Sequence, residues 1–151
     1  MNINIETIPY CSIAYIRQVG AYGEGNIKTM EKLKDWAKAN NLMNSKTVIF
    51  GIAHDNPQIT PPENCRYDVC ILLPDENFPV GSDVQLGKIA GGKHVVFTVT
   101  HTAEAVQQAW VDIFPVLSDN GYLPDTTRPI MERYAAEKIE KHLCEICVPI
   151  G

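Results

Sequence analysis

"CILLP" (70–74) and "EICVP" (145–149) decide the fold. Each closes a run of strand-forming residues with a proline, which cannot donate to a sheet ladder and so ends the strand. Side chains of a strand alternate faces. In "RYDVCILL" (66–73), Tyr67, Val69, Ile71 and Leu73 form the apolar set, with Arg66, Asp68 and Cys70 opposite. In "LCEICVPI" (143–150), Cys144, Ile146, Val148 and Ile150 are apolar, while Glu145 and Cys147 face the other way. Two closing strands of one kind invite a search for the same elements ahead of each.

Ahead of the first lie a β-branched strand from Ile8 to Val19 and a glycine-punctuated turn at 20–25. Asn26 is placed to cap a helix running to Asn40, with Ile27, Met30, Leu33 and Ala37 as its apolar stripe. A strand from Thr47 to His54 and a proline-rich loop follow. Ahead of the second lies strand material from Val84 to His101, with Gly91-Gly92 as a break or bulge. A helix from Ala103 to Asn120 stops at Gly121, and "RPIMERY" (128–134) is the next strand. The order is β-α-β-β, twice. We therefore expect an α+β fold of one domain, with pseudo-repeats at about 1–75 and 80–151. Its antiparallel sheets carry both helices on one face, with a ligand cleft between the halves. The other face is then free to form a groove along the pseudo-two-fold axis. Asp68 and Glu145 share that side, facing either the groove or water.

Composition narrows the function. The chain has 151 residues and 45% hydrophobic content, enough for a real core. No apolar run approaches the ~20 residues that span a bilayer, and the N-terminus lacks the pattern of a signal peptide. A cytoplasmic location with no membrane partner is expected. Net charge is −5, and no Lys/Arg cluster forms a stripe, which argues against direct nucleic-acid binding. The five cysteines are an odd number and fit reduced thiols. Cys144 and Cys147, three apart on a strand, fall on opposite faces, so no metal site is expected. Nothing calls for a cofactor.

"RPIMERY" holds the most informative residue. On a strand, Ile130, Glu132 and Tyr134 point one way. Glu132 is thus set between an aliphatic side chain and a phenol, as a wet surface charge or as an acid kept for a ligand. The four histidines show no catalytic partner in sequence, so no catalytic residue is assigned.

Several short motifs, in order, resemble the GyrI-like small-molecule-binding family. It includes the DNA gyrase inhibitory protein SbmC and the effector-binding domains of AraC-type and MerR-type transcription activators. "IAYIRQVGAYGE" is similar to its first strand and turn, and "HDNPQITPPENCRYDVCI" to its D-x-P…T-P…R-x-D segment. "KIAGGKHVVF", "RPIMERY" and "CEICVPI" match its later strands. The resemblance implies two β-α-β-β modules with a cleft between them and Glu132 reaching into that cleft. It implies a cationic or lipophilic small molecule as partner. Tyr134, Tyr15, Phe50, Tyr67 and Trp110 are the aromatic candidates for the walls. Many members carry a tryptophan in the last turn of the second helix, where this chain has Pro115 and Val116; Trp110 stands earlier. Three functions follow, in order. The first is a stand-alone binding module, with no length to spare for a helix-turn-helix. The second is a DNA gyrase inhibitor acting by protein contact. The third is a hydrolase using Glu132 and Tyr134.

Overall fold

Both halves follow the expected order in the computed structural model, which describes residues 2–151. The first holds β2 (Cys11–Val19), α1 (Glu24–Ala39), β3 (Val48–Ala53) and β4 (Arg66–Leu72). The second holds β6 (Gly92–Thr100), α2 (Ala103–Asp119), β7 (Met131–Ala135) and β8 (Leu143–Pro149), with one turn of helix, α3 (Ala136–Ile139), before β8. Two further strands, β1 (Asn2–Ile8) and β5 (Gln85–Ile89), precede the halves. All eight form one antiparallel sheet in the order β1-β6-β8-β7-β3-β4-β2-β5. Each half lays its strands down first, third, second, and the halves join where β3 pairs with β7.

The two leading strands depart from the sequence reading. The material from Val84 to His101 is two strands, separated at Ala90-Gly91. Neither leading strand pairs with the strand that follows it. β1 pairs with β6 of the second half, and β5 with β2 of the first. The short links after β1 and β5 therefore cross. They touch so closely that a Cβ on Gly91 would run into backbone atoms of Ile8 and Tyr10. Only glycine allows that approach.

Register shows which side each residue takes. One row runs across seven strands: Ile3, Phe97, Ile146, Glu132, Gly51, Val69 and Ile16. Next to it, on the opposite face, runs Thr98, Glu145, Arg133, Phe50, Cys70 and Tyr15. Leu33 and Ala37 of α1 pack on Ile49, Val69 and Ile71, and Ala109, Ile113 and Leu117 of α2 pack on Phe97, Ile146 and Val148. Tyr134 touches both clusters, so both helices cover the face that carries Glu132.

The opposite face is not a free groove. Its strands enclose a third core of Ile8, Ile13, Phe50, Ile52, Cys70, Val96, Met131 and Cys147. Asp68 and Glu145 do share this side, but they are buried rather than wet. Arg17 grips Asp68 through Nε and Nη2, at 2.7 and 2.9 Å, and His54 meets the same carboxylate at 2.7 Å. Arg133 joins Glu145 to Glu6 of β1. The crossing of the edge strands closes the sheet over this face, and the charges inside are paired because an unpaired buried charge is costly.

The expected helix start also shifts. The amides of Asn26 and Ile27 bond to the Gly23 carbonyl, so α1 begins at Glu24 and Asn26 lies inside it rather than at its cap. Thr102 caps α2, accepting from the Ala105 amide.

Candidate functional site

Glu132 lies at the join of the two halves, paired in register with Gly51 on one side and Ile146 on the other. Gly51 has no side chain, and that space is taken by the hydroxyl of Tyr67. The Tyr67 hydroxyl donates to Glu132 Oε1 at 3.4 Å, and Trp110 Nε1 donates to Oε2 at 3.1 Å. One donor comes from the first half and one from the second. None of the ion pairs among the described residues includes Glu132. The carboxylate is therefore half-buried, held by two neutral donors and left without a counter-charge.

The surrounding phenols respond. Burial first, and then the negative charge of Glu132, push the Tyr67 and Tyr134 hydroxyls well above the ordinary phenol range, so both stay protonated donors. Tyr22 packs edge-on against Tyr67 with ring centroids 6.2 Å apart, and His101 lies 5.6 Å from the Tyr134 ring.

Beside this group opens a cavity of about 730 Å³ between α1 and the β7–α3 corner. Tyr67 and Tyr134 form part of its wall, with Ile27, Met30, Met43 and Ile139 as apolar lining. Exposed Glu31 and Glu140 also border it, against a single lysine, Lys34. Glu132 stands behind the two tyrosines rather than in the wall. The arrangement can hold a lipophilic body in the cavity and a positive charge against electron-rich rings backed by a carboxylate.

Of the six residues expected at the site, the structure groups Glu132, Tyr134, Tyr67 and Trp110. It does not bring Tyr15 and Phe50 to them. Both lie in the adjacent row on the other face, Phe50 in the third core and Tyr15 on a second, smaller cavity. Sequence reading missed Met30, Met43, Ile139 and His101. Sequence shows that Ile27 and Met30 lead the apolar stripe of α1; only the structure shows that Leu33 and Ala37 are buried, Met30 is partly packed on the same core and Ile27 is left outside it. Ile27 is 62% exposed. Trp110 reaches the carboxylate from the middle of α2 rather than from its last turn.

This geometry agrees with what the chain is similar to. Residues 1–151 match the GyrI-like small molecule binding domain. The chain belongs to the GyrI-like family. It is 46% identical over 151 residues to YosT of Bacillus subtilis (strain 168), an SPbeta prophage-derived candidate transcriptional regulator, with 99% of each chain covered. Among solved structures, it matches the C-terminal domain of EcmrR with a TM-score of 0.75 at 19% identity, covering 99% of this chain and 97% of that one. In the EcmrR–DNA complex it spans only 57% of the EcmrR chain, so the whole regulator is considerably longer than this match. It also matches SAV2435, solved bound to tetraphenylphosphonium, with a TM-score of 0.60 at 13% identity, covering 100% of this chain and 94% of that one. Likeness at these structural identities speaks for the shared fold.

Proposed function

We propose that this GyrI-like chain binds a small, cationic, amphipathic molecule in the 730 Å³ cavity, with the charge drawn to Tyr67 and Tyr134 and backed by Glu132. The observation that carries this reading is the half-buried carboxylate held by two neutral donors and no cation. A carboxylate about 7 Å from a bound cation contributes roughly 2 kcal/mol at an effective dielectric constant near 20. Ring faces add about 0.5–2 kcal/mol. The apolar lining supplies the remainder by burial of the ligand's hydrocarbon. SAV2435, with the same fold, was solved with a lipophilic cation, which makes that compound a rational first probe. Regulation follows if a separate DNA-binding partner reads the occupied state. Gyrase inhibition and hydrolysis, the other two readings, rest on resemblance alone.

Titration calorimetry with tetraphenylphosphonium, against uncharged triphenylphosphine oxide, tests the proposal. The cation should bind at one site and more tightly than the neutral compound. Equal affinity, or no binding of either, would refute it.

A further inference from the structure

The edge strand β1 leaves part of its backbone without a partner. It ends the sheet, and among the described residues it pairs with β6 alone. The register says which of its groups are free. The Ile150 amide donates to the Lys93 carbonyl, so the backbone groups of Lys93 point away from β1. Lys93 stands opposite Thr7. The N–H and C=O of one antiparallel residue share a side, and the sides alternate along the strand. Thr7, Ile5 and Ile3 therefore turn theirs outward, while Asn2, Asn4 and Glu6 spend theirs on β6.

The two ends of the sheet differ. β5 has five residues and carries Gly87 and Lys88, and shortness and lysine both keep an edge from pairing. β1 has seven residues in unbroken register, with no lysine, proline or glycine. Its Ile3 and Ile5 are exposed and extend the row of Phe97 and Val95 beyond the residues that α2 covers.

The sequence of the strand selects the partner. Two copies of "NINIETI" (2–8), antiparallel about a two-fold axis at Ile5, set Ile5 opposite Ile5, Ile3 opposite Thr7 and Glu6 opposite Asn4. Every outward group then pairs, with two hydrogen bonds at each of these outward-facing pairs. Glu6 is the one charged side chain of the strand. Arg133 holds it from within its own copy, and its carboxylate keeps lone pairs for the Asn4 amide of the other. Sliding the copies by two residues one way sets Glu6 against Glu6, which is destabilising. Sliding them the other way shortens the overlap of the two seven-residue strands.

We propose that β1 is a dimerisation edge, on which a second copy of this chain docks by antiparallel β1–β1 pairing centred on Ile5. The two eight-stranded sheets become one. β6 and β8 separate β1 from β7, so the cavity beside Glu132 stays open in each copy.

Sedimentation equilibrium of the full chain tests this at ~150 mM salt, which screens the −5 charge of each copy beyond about 8 Å. A dimer should form with a dissociation constant on the order of 10 μM. Hydrogen exchange should slow at the outward amides of Ile3, Ile5 and Thr7 as it forms. Ile5→Lys sets two ammonium groups against each other at the axis and should weaken association roughly ten-fold or more, with an unchanged circular dichroism spectrum. Asn4→Asp faces Glu6 of the other copy at two symmetric places and should weaken it roughly two- to thirty-fold. Asn4→Lys should strengthen it by a similar factor. A chain still monomeric at ~500 μM, well above that constant, would overturn the proposal. So would a dimer whose three outward amides stay unprotected, or folded Asn4→Asp and Asn4→Lys variants that associate alike.

Discussion

Trp110 Nε1 and Glu132 Oε2 lie 3.1 Å apart, so the second helix is tied to the strand that joins the two halves. The bond orients the carboxylate without neutralising it. Glu132→Gln keeps the shape and removes the charge; its one carbonyl oxygen accepts from Trp110, and the Tyr67 hydroxyl turns to accept from the amide NH2. We expect tetraphenylphosphonium affinity to fall by about 1–2 kcal/mol, roughly five- to thirty-fold. Stability should be unchanged or slightly raised. Titration calorimetry of the two proteins decides it, and equal affinities would return Glu132 to a structural role.

Trp110→Phe retains a ring and deletes the donor. Loss of one hydrogen bond to a half-buried carboxylate should cost about 1 kcal/mol, lowering the melting temperature by about 2–4 °C for a chain of this size. Differential scanning calorimetry reads this directly. Glu132→Gln should have little further effect in the Trp110→Phe background if the two act as one unit.

Gly51→Ala puts a Cβ into the place of the Tyr67 hydroxyl and 3.3 Å from Glu132 Oε1. Tyr67 must move off the carboxylate. Overpacking of this kind costs about 1–3 kcal/mol, and cation binding should weaken with it. Urea denaturation and the same titration give both numbers. An unchanged affinity would show that Tyr67 does not shape the site.

Arg133 bridges Glu6 and Glu145 inside the third core side. Arg133→Met leaves the buried Glu145 without its cation, and we expect a loss of about 3–5 kcal/mol in urea unfolding. Glu145→Gln in the same background should recover part of it, because the stranded charge is then gone.

Asp68 gives the protein an acid-sensitive side. Burial pushes its carboxyl up, but the bonds from Arg17 and His54 outweigh that and hold it below its ordinary value of 3.8. A carboxyl lowered by folding stabilises the fold above its unfolded value, and that stability is lost as pH falls through the folded one. Urea midpoints should therefore be level down to about pH 5 and fall below about pH 4. In Arg17→Met the fall should begin at higher pH, since burial then acts with less opposition. Identical pH profiles for the two proteins would count against this account.

Much of this was legible in the sequence because it depends on local patterns. Alternation in "RYDVCILL" and "LCEICVPI" gave the correct faces for Asp68, Glu145 and the Cys144–Cys147 pair. The order of elements gave both modules. What failed depends on partners far along the chain. Tyr15 and Phe50 are as aromatic as Tyr67, and only the register between β2, β4, β3 and β7 puts them on the wrong side of the sheet for Glu132. "NINIETI" alternates as an edge strand should, but nothing local says that its partner is β6. The buried state of Asp68 likewise depends on His54 and Arg17, which no spacing rule connects.

The exchange of leading strands also orders events in time. As the chain leaves the ribosome, β1 emerges first, yet its hydrogen-bonding partner, residues 92–98, is made only after the whole first half. The first half meanwhile lacks the strand that covers β2, because β5 is made late as well. Nascent β1 and β2 must each wait with an open edge, a state that exposes strand backbone to other chains. Closure comes late and joins both ends of the sequence in one step. Fragments cut between the halves would each carry one leading strand, in neither case the one that completes their own sheet.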